Sequence, residues 1–234
     1  MVQSLSLVLP VWNEEDIISG VVHDIEKVLE ENRVDYELLL IENGSVDHSL
    51  DVIQELSRKN PRCRVIVRPK GYGSAVIGGL KEATKELVGY MPSDGQIEPG
   101  ILIELLKAWD PTRYDLVKIN RVERESLSRK FISFWFNSIT RLIFGLSLKD
   151  INGSPKLFPT RFVSRLSLKS LGNLIDTEFM AKARRLKWRI LEIPTESKER
   201  AGGKSHVNLF TVLQFISELI RLRFSQEIRN FPNS

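Results

Sequence analysis

Short apolar runs that alternate with helical patterns, most of them closed by a polar turn, constrain this chain more than any other feature. Leu5–Leu9, Glu37–Ile41, Arg64–Val67, Val88–Met91 and Leu116–Ile119 read as strands. Between the first two, Ile17, Ile18, Val21, Val22, Ile25, Val28 and Leu29 recur at helical spacing. The segments from Asp47 to Leu56, Ala75 to Leu87 and Ile101 to Trp109 also read as helices, with Asp47 as a cap. This alternation predicts an α/β fold: a mostly parallel sheet sandwiched by helices. In such sheets ligands bind beyond the carboxyl ends of the strands. Three polar segments fall there: Pro10–Glu14, Glu42–Ser45 and Asp94–Gln96.

The rhythm changes in the second half. Ser126–Leu146 is one long helical pattern, and a loop from Asp150 to Pro155 follows. Asp176–Leu186 reads as a helix, Arg189–Ile193 as a strand and Thr195–His206 as a polar, glycine-containing loop. Asn208–Phe224 closes as an apolar-rich helix. The 234 residues suit one large domain, 1–207, with 208–234 as an amphipathic C-terminal extension. That helix suits a membrane surface, the flank of its own domain, or a partner subunit in an oligomer.

Charge divides the chain as well. Residues 1–117 hold 12 Lys/Arg against 20 Asp/Glu, a net of −8, and residues 118–234 hold 22 against 10, a net of +12. A basic half of this kind meets phosphate, anionic lipid or nucleic acid, or is simply solvated surface. Cys63 is the single cysteine, so no intrachain disulfide forms and a reducing compartment fits. The start, MVQSLSLVLPVWNEE, lacks the basic region of a signal peptide. The longest apolar stretch, Phe131 to Leu148, is interrupted by Asn137 and Arg141, so no transmembrane span is expected. The expected location is cytoplasmic, peripheral on the cytoplasmic face of a membrane.

Ser93-Asp94-Gly95-Gln96 offers an aspartate and a side-chain amide two residues apart, hard oxygen ligands of the kind Mg²⁺ or Mn²⁺ takes. Alone it is also an ordinary turn. Pro10-Val11-Trp12-Asn13-Glu14 and Glu42-Asn43-Gly44-Ser45 are, alone, a helix start and a capped turn. On the long second-half helix Arg129, Ser133, Asn137 and Arg141 are four apart and share one face, amid Phe131, Phe134, Trp135, Phe136 and Phe144. A cationic stripe on an aromatic helix suits a phosphate head on an apolar chain, although the wet face of a core helix has the same pattern. That phosphate-sized stripe and the acidic first half argue against nucleic acid. Gly71-x-Gly73 lacks the third glycine of a dinucleotide fingerprint.

In order and spacing these motifs resemble the family 2 glycosyltransferases of the GT-A fold. Pro10-x-x-Asn13-Glu14 matches the family's opening motif, and Glu42-Asn43-Gly44-Ser45 stands where it has Asp-Asp-Gly-Ser. Arg68–Ala75 with Gly78-Gly79-Leu80 resembles its next glycine-rich segment, and Pro92-Ser93-Asp94-Gly95-Gln96 stands at Asp-Ala-Asp-x-Gln. Pro92 thus replaces an acidic residue of the metal motif. The second half resembles the polyprenol-phosphate glycosyltransferases, the group of the dolichol-phosphate mannose synthases. Asn120-Arg121 replaces Gly-Ser-Arg, and Arg129-x-x-x-Ser133 matches their acceptor-phosphate helix. Asp150–Phe158 loosely resembles Asp-x-x-x-Gly-Phe-Arg, Glu178 falls at an acidic helical position, and Arg200–His206 resembles a loop Arg-x-x-Gly-x-Ser-Lys.

The resemblance implies a nucleotide-sugar-binding half, 1–117, and an acceptor half, 118–207. It implies that Pro10, Asn13, Glu14, Glu42, Gly44, Ser45, Lys70, Asp94, Gln96, Arg200, Lys204 and Ser205 bind the sugar nucleotide. Asp94 and Gln96 would hold Mg²⁺ or Mn²⁺, and Arg121, Arg129 and Ser133 the acceptor phosphate. Asp94, Arg129 and Glu178 would be the catalytic residues. The implied reaction is metal-dependent, inverting transfer of a hexose from a GDP- or UDP-sugar to a polyprenyl phosphate. Two alternatives stand beside it: a hydroxyl acceptor deprotonated by Glu178, and a non-catalytic sugar-nucleotide-binding protein.

Overall fold

The computed structural model describes residues 4–122, 127–196 and 209–232, with side chains described except at 127–134, 136 and 209–214. Its strands are β1 (Ser4–Val11), β2 (Asp35–Glu42), β3 (Cys63–Val67), β4 (Leu87–Tyr90), β5 (Leu116–Val122), β6 (Lys156–Pro159) and β7 (Ile190–Glu196). Its helices are α1 (Ile18–Glu31), α2 (Ser49–Lys59), α3 (Tyr72–Glu82), α4 (Ile101–Ala108), α5 (Leu127–Phe144), α6 (Val163–Leu166), α7 (Ile175–Arg185), α8 (Leu209–Phe224) and α9 (Gln226–Arg229).

The strands form one sheet in the order β3-β2-β1-β4-β6-β5-β7. β1 pairs in parallel with β2 and β4, β2 with β3, and β5 with β7. β6 runs antiparallel between β4 and β5. The sheet is therefore mostly parallel, as the alternation predicts, with one reversed strand that the sequence reading leaves unassigned. Four residues, one of them a lysine and the last a proline, are too few to display a period.

Period two splits each central strand between two cores. Leu5, Leu7, Leu9 and Val11 of β1 join Leu38 and Leu40 of β2 and the apolar stripes of α1 and α4 on one face. Val8, Leu39 and Ile41 point the other way, into a core built with Ala75, Val76, Phe158, Phe179 and Trp188. Leu219 and Leu222 of α8 and Ile228 of α9 belong to this second core. Arg223 Nε donates to the Ile143 carbonyl at 3.1 Å, so the end of α8 lies against the end of α5. Ile220 and Phe224 remain exposed. Among the described residues no helix is long and apolar enough to cross a membrane.

One predicted helix ends early. α3 stops at Glu82, not Leu87, because side chains hold the turn from Ala83 to Glu86. Thr84 N and Thr84 Oγ1 both donate to Glu37 Oε1 at 2.8 Å, and Lys85 N donates to Ser6 Oγ at 3.0 Å. Ser6 Oγ in turn donates to Glu37 Oε1 at 2.7 Å, and Arg64 Nη1 to Glu37 Oε2 at 3.0 Å. Burial alone would raise the Glu37 carboxyl, but these donors more than offset it and hold it below its ordinary value.

A lowered folded pKa gives stability that is whole above the unfolded value, about 4.3, and is lost as pH falls through the folded value. Glu37→Gln is expected to lower the unfolding free energy by about 1.5–3 kcal/mol at neutral pH. It should also flatten the acid limb of stability below about pH 4. Urea unfolding of both proteins from pH 7 to pH 3 checks this.

Candidate functional site

The carboxyl ends of β1 and β2 lead into two loops stitched to each other. Asn13, with φ of 55°, accepts Val46 N at 2.8 Å through Oδ1, and its own N–H donates to Ser45 Oγ at 3.1 Å. Glu14 N donates to Ser49 Oγ at 2.8 Å, Glu15 N to Asp47 Oδ2 at 3.2 Å, and His48 N to Glu15 Oε2 at 2.7 Å. Glu42 holds the second loop from within: its Oε1 accepts Gly44 N at 2.8 Å and Ser45 N at 2.6 Å. Gly44 takes φ of 88°, which a glycine adopts without strain. After β4, Ser93 Oγ donates to the Pro10 carbonyl at 2.7 Å, and Gln96 N donates to Asp94 Oδ1 at 3.2 Å.

These three strand ends open on a cleft of about 410 Å³. Pro10, Trp12, Glu14, Asn43, Lys70, Gly71, Tyr72, Pro92, Ser93, Asp94 and Asn173 line it. Lys70 Nζ stands 4.9 Å from the centre of the Trp12 ring, a cation over an aromatic face. The start of α3 forms one wall and is clamped to the loop before α7. Ser74 N donates to the Leu171 carbonyl at 3.0 Å, and a Cβ on Gly73 would stand 2.1 Å from the Ser170 carbonyl oxygen. Only a glycine allows that approach, which brings Asn173 to the cleft.

A buried ionic floor lies next to the cleft. Arg121, on β5, is held by Asp150 through Nε to Oδ2 at 2.8 Å and Nη2 to Oδ1 at 3.1 Å. Lys156, on β6, pairs with Asp176, which also accepts Tyr90 Oη at 2.7 Å. Lys118 donates to the Ile119 carbonyl at 2.7 Å and pairs with Glu192 at 3.2 Å. Burial and the neighbouring Lys156 push the Lys118 ammonium down to about 8, against the pull of Asp150 and Glu192. Desolvation raises the Tyr72 phenol well above its usual value, with Asp176 adding to the effect. The Tyr72 phenol also meets the Ser154 hydroxyl, to which Lys156 Nζ donates at 3.1 Å, and so joins cleft to floor.

Of the residues expected at the site, Pro10, Glu14, Lys70 and Asp94 line the cleft together. Asn13, Glu42, Gly44 and Ser45 instead build its rim, with the Glu42 carboxylate turned onto its own loop. Gln96 is next to Asp94 but is not one of the cleft-lining residues. Glu178 does not fit the part of a general base. It is fully buried, and its carboxylate accepts Lys169 N at 3.0 Å and Ser170 N at 2.6 Å and pairs with Lys182 at 2.5 Å. Arg129 and Ser133 fall on α5, but their side chains lie outside those described, as do Arg200, Lys204 and Ser205 altogether. The sequence reading missed Trp12, Asn43, Tyr72 and Asn173 as cleft residues. Trp12 and Asn43 sit inside motifs already singled out, whereas Asn173 reaches the cleft only through the clamp at Gly73.

Among the described residues no group of three or more His, Cys, Asp or Glu side chains is arranged to hold a metal. A cation shared with a diphosphate needs only one or two protein carboxylates, since phosphate oxygens and water complete its shell. Asp94, a carboxylate lining the cleft, fits that kind of site.

Fold and site together define a GT-A-type glycosyltransferase. The chain belongs to glycosyl transferase family 2, whose model matches residues 6–170. It is 26% identical over 225 residues to an undecaprenyl-phosphate 4-deoxy-4-formamido-L-arabinose transferase of Edwardsiella ictaluri, covering 94% of this chain and 67% of that protein. It is 28% identical over 230 residues to a dolichol-phosphate mannosyltransferase of Pyrococcus furiosus, covering 93% and 63%. An uncharacterised glycosyltransferase of Bacillus subtilis is 29% identical over 150 residues, covering 62% and 45%. The chain thus spans from under half to two thirds of the length of these relatives. Glucosyl-3-phosphoglycerate synthase from Mycobacterium tuberculosis shares the fold. Its complex with Mn²⁺, uridine diphosphate and phosphoglyceric acid matches with a TM-score of 0.71 at 19% identity, covering 96% of this chain and 78% of that one. Its complex with Mg²⁺ and uridine diphosphate matches with a TM-score of 0.70.

Gly73→Ala sets a methyl group against backbone oxygens that cannot move aside, and should cost about 1–3 kcal/mol of stability. Because the same clamp carries Asn173, nucleotide affinity should fall with it. Chemical denaturation and calorimetric titration with UDP and GDP test the two effects; wild-type values in both would refute the clamp.

Proposed function

We propose that this chain transfers a hexose, with inversion, from a GDP- or UDP-sugar to a polyprenyl phosphate, using Mg²⁺ or Mn²⁺ held at Asp94. The observation that carries the reading is the junction at Tyr72, which lines the cleft beside Asp94 while its phenol meets Ser154, the hydroxyl that Lys156 of the ionic floor binds. A donor in the cleft and a phosphate at the floor would meet there. Trp12 offers a flat aromatic face, Glu14 and Asn43 polar groups, and Lys70 a cation to the nucleotide and its phosphates. A bound divalent cation would neutralise charge on the departing diphosphate. Arg121, with Arg129 and Ser133 as the resemblance implies, would hold the acceptor against the repulsion of like charges. The likeness to transferases named for undecaprenyl and dolichol phosphates supports that acceptor class.

A phosphate acceptor is already an anionic nucleophile and needs no strong base. A hydroxyl does, and Glu178 is enclosed by backbone donors and Lys182, which disfavours the hydroxyl reading. Family membership weighs against a non-catalytic binder. We further propose that the protein works at a membrane surface, where its acceptor resides, with the exposed Ile220 and Phe224 of α8 beside Arg221 as one contact.

Asp94→Ala should lower kcat by about 100-fold or more and remove the dependence of UDP or GDP binding on Mn²⁺. Glycolipid formation followed by mass spectrometry and calorimetry with and without Mn²⁺ are the measurements. Undiminished transfer in the variant would sink the assignment of Asp94.

A further inference from the structure

Asp150 does not line the cleft, yet it closes on Arg121 with three hydrogen bonds. Its Oδ2 accepts Arg121 Nε at 2.8 Å and the Arg121 backbone N–H at 3.2 Å, and its Oδ1 accepts Nη2 at 3.1 Å. Two parallel bonds from a guanidinium fork fix its plane as well as its position. Asp150 is 5% exposed, whereas the Arg121 side chain keeps 34% of its surface. The pair therefore has an anchored end and a presented end.

The anchor is itself held from below. Lys149 N and Asp150 N donate to the two oxygens of Glu192 on β7 at 2.9 and 3.3 Å. Lys118 Nζ, fully buried on β5, donates to the Asp150 carbonyl and to Glu192. Ile151 N donates to Asn137 Oδ1 on α5 at 3.2 Å, which ties the loop to the helix that carries Arg129 and Ser133. Gly153 permits this packing: a Cβ there would stand 2.2 Å from the Ile119 carbonyl oxygen and 2.9 Å from Asp150 Oδ2.

We propose that Asp150 is a positioning residue for the acceptor phosphate, aiming the Arg121 guanidinium from an anchor set by Glu192 and Lys118. This rests on the reading of Arg121 as an acceptor ligand. Two effects of Asp150 oppose each other. Its charge weakens the attraction of Arg121 for any anion, and its fork orders the group that binds one. Arg121 is partly exposed, so the first effect is screened. Orientation is not, and it dominates. Burial would raise the Asp150 carboxyl, but Arg121 and Lys118 hold it below its ordinary range, so it stays charged at neutral pH.

The test is a double-mutant cycle read by calorimetric binding of farnesyl phosphate. It compares wild type, Arg121→Ala, Asp150→Asn and the double variant, with UDP and GDP binding measured on the same preparations. Each single change should weaken farnesyl phosphate about tenfold, the double no more than Arg121→Ala alone, with nucleotide affinity unchanged. Unchanged or tighter binding in Asp150→Asn, or additive losses in the double variant, overturns the proposal. If Asp150→Asn does not fold, Asp150→Glu decides: it keeps the charge but shifts the fork, and wild-type affinity there also overturns it. An effect of Arg121→Ala alone leaves the acceptor reading standing and removes only the positioning role. No binding of farnesyl phosphate by the wild type refutes the acceptor reading and this inference with it.

Discussion

The reversed strand β6 is the constraint around which the site is arranged. It enters the sheet between β4 and β5 against the direction of both, and in doing so carries a lysine into the interior. A buried ammonium is tolerable only with a partner, and removing one member of such a pair costs about 3–5 kcal/mol. Lys156 finds Asp176 at the start of α7, and Tyr90 of β4 binds the same carboxylate. These bonds tie the start of α7 to the sheet, and Phe179 and Met180 of the same helix pack into the second core. The loop that precedes α7 is then clamped to α3 at Gly73, and the loop that precedes β6 delivers Asp150 to Arg121.

Charge in the second half takes a different meaning in this light. The sequence suggests a basic surface. Part of the basic count lies inside: Lys118, Lys156 and Lys182 are all essentially buried, each set against a carboxylate. Lys118 and Lys156, with Arg121, Asp150, Asp176 and Glu192, make a floor of alternating sign rather than a cationic patch. Such a floor presents directed donors without a large net field, which suits an anion that must bind and later leave as product.

Most of the sheet was legible in the sequence because burial on two faces leaves long apolar runs, and the helices because their stripes repeat every 3.6 residues. Ends set by side chains were not legible. α3 stops at Glu82 because Glu37 and Ser6, far back in the chain, capture the backbone of Thr84 and Lys85. β6 was missed for want of length. In the site, residue type and motif order pointed to three strand ends, and Asp94, Glu14 and Lys70 line one cleft there. Roles within a motif were less visible. Glu42 and Glu178 look equally available in one dimension, yet Glu42 turns one oxygen onto two N–H groups of its own loop and Glu178 commits both of its oxygens to backbone N–H groups and Lys182, a fact that only the fold of the loops reveals.

The account stands or falls on the chemistry of the acceptor. The direct measurement is incubation of the wild-type protein with Mn²⁺, a panel of GDP- and UDP-sugars and a polyprenyl phosphate, with the lipid product identified by mass. The account predicts a polyprenyl phosphate heavier by one hexose residue, formed with one donor and only with the metal present. Nucleotide release with an unmodified lipid, in the presence of every donor, would contradict it.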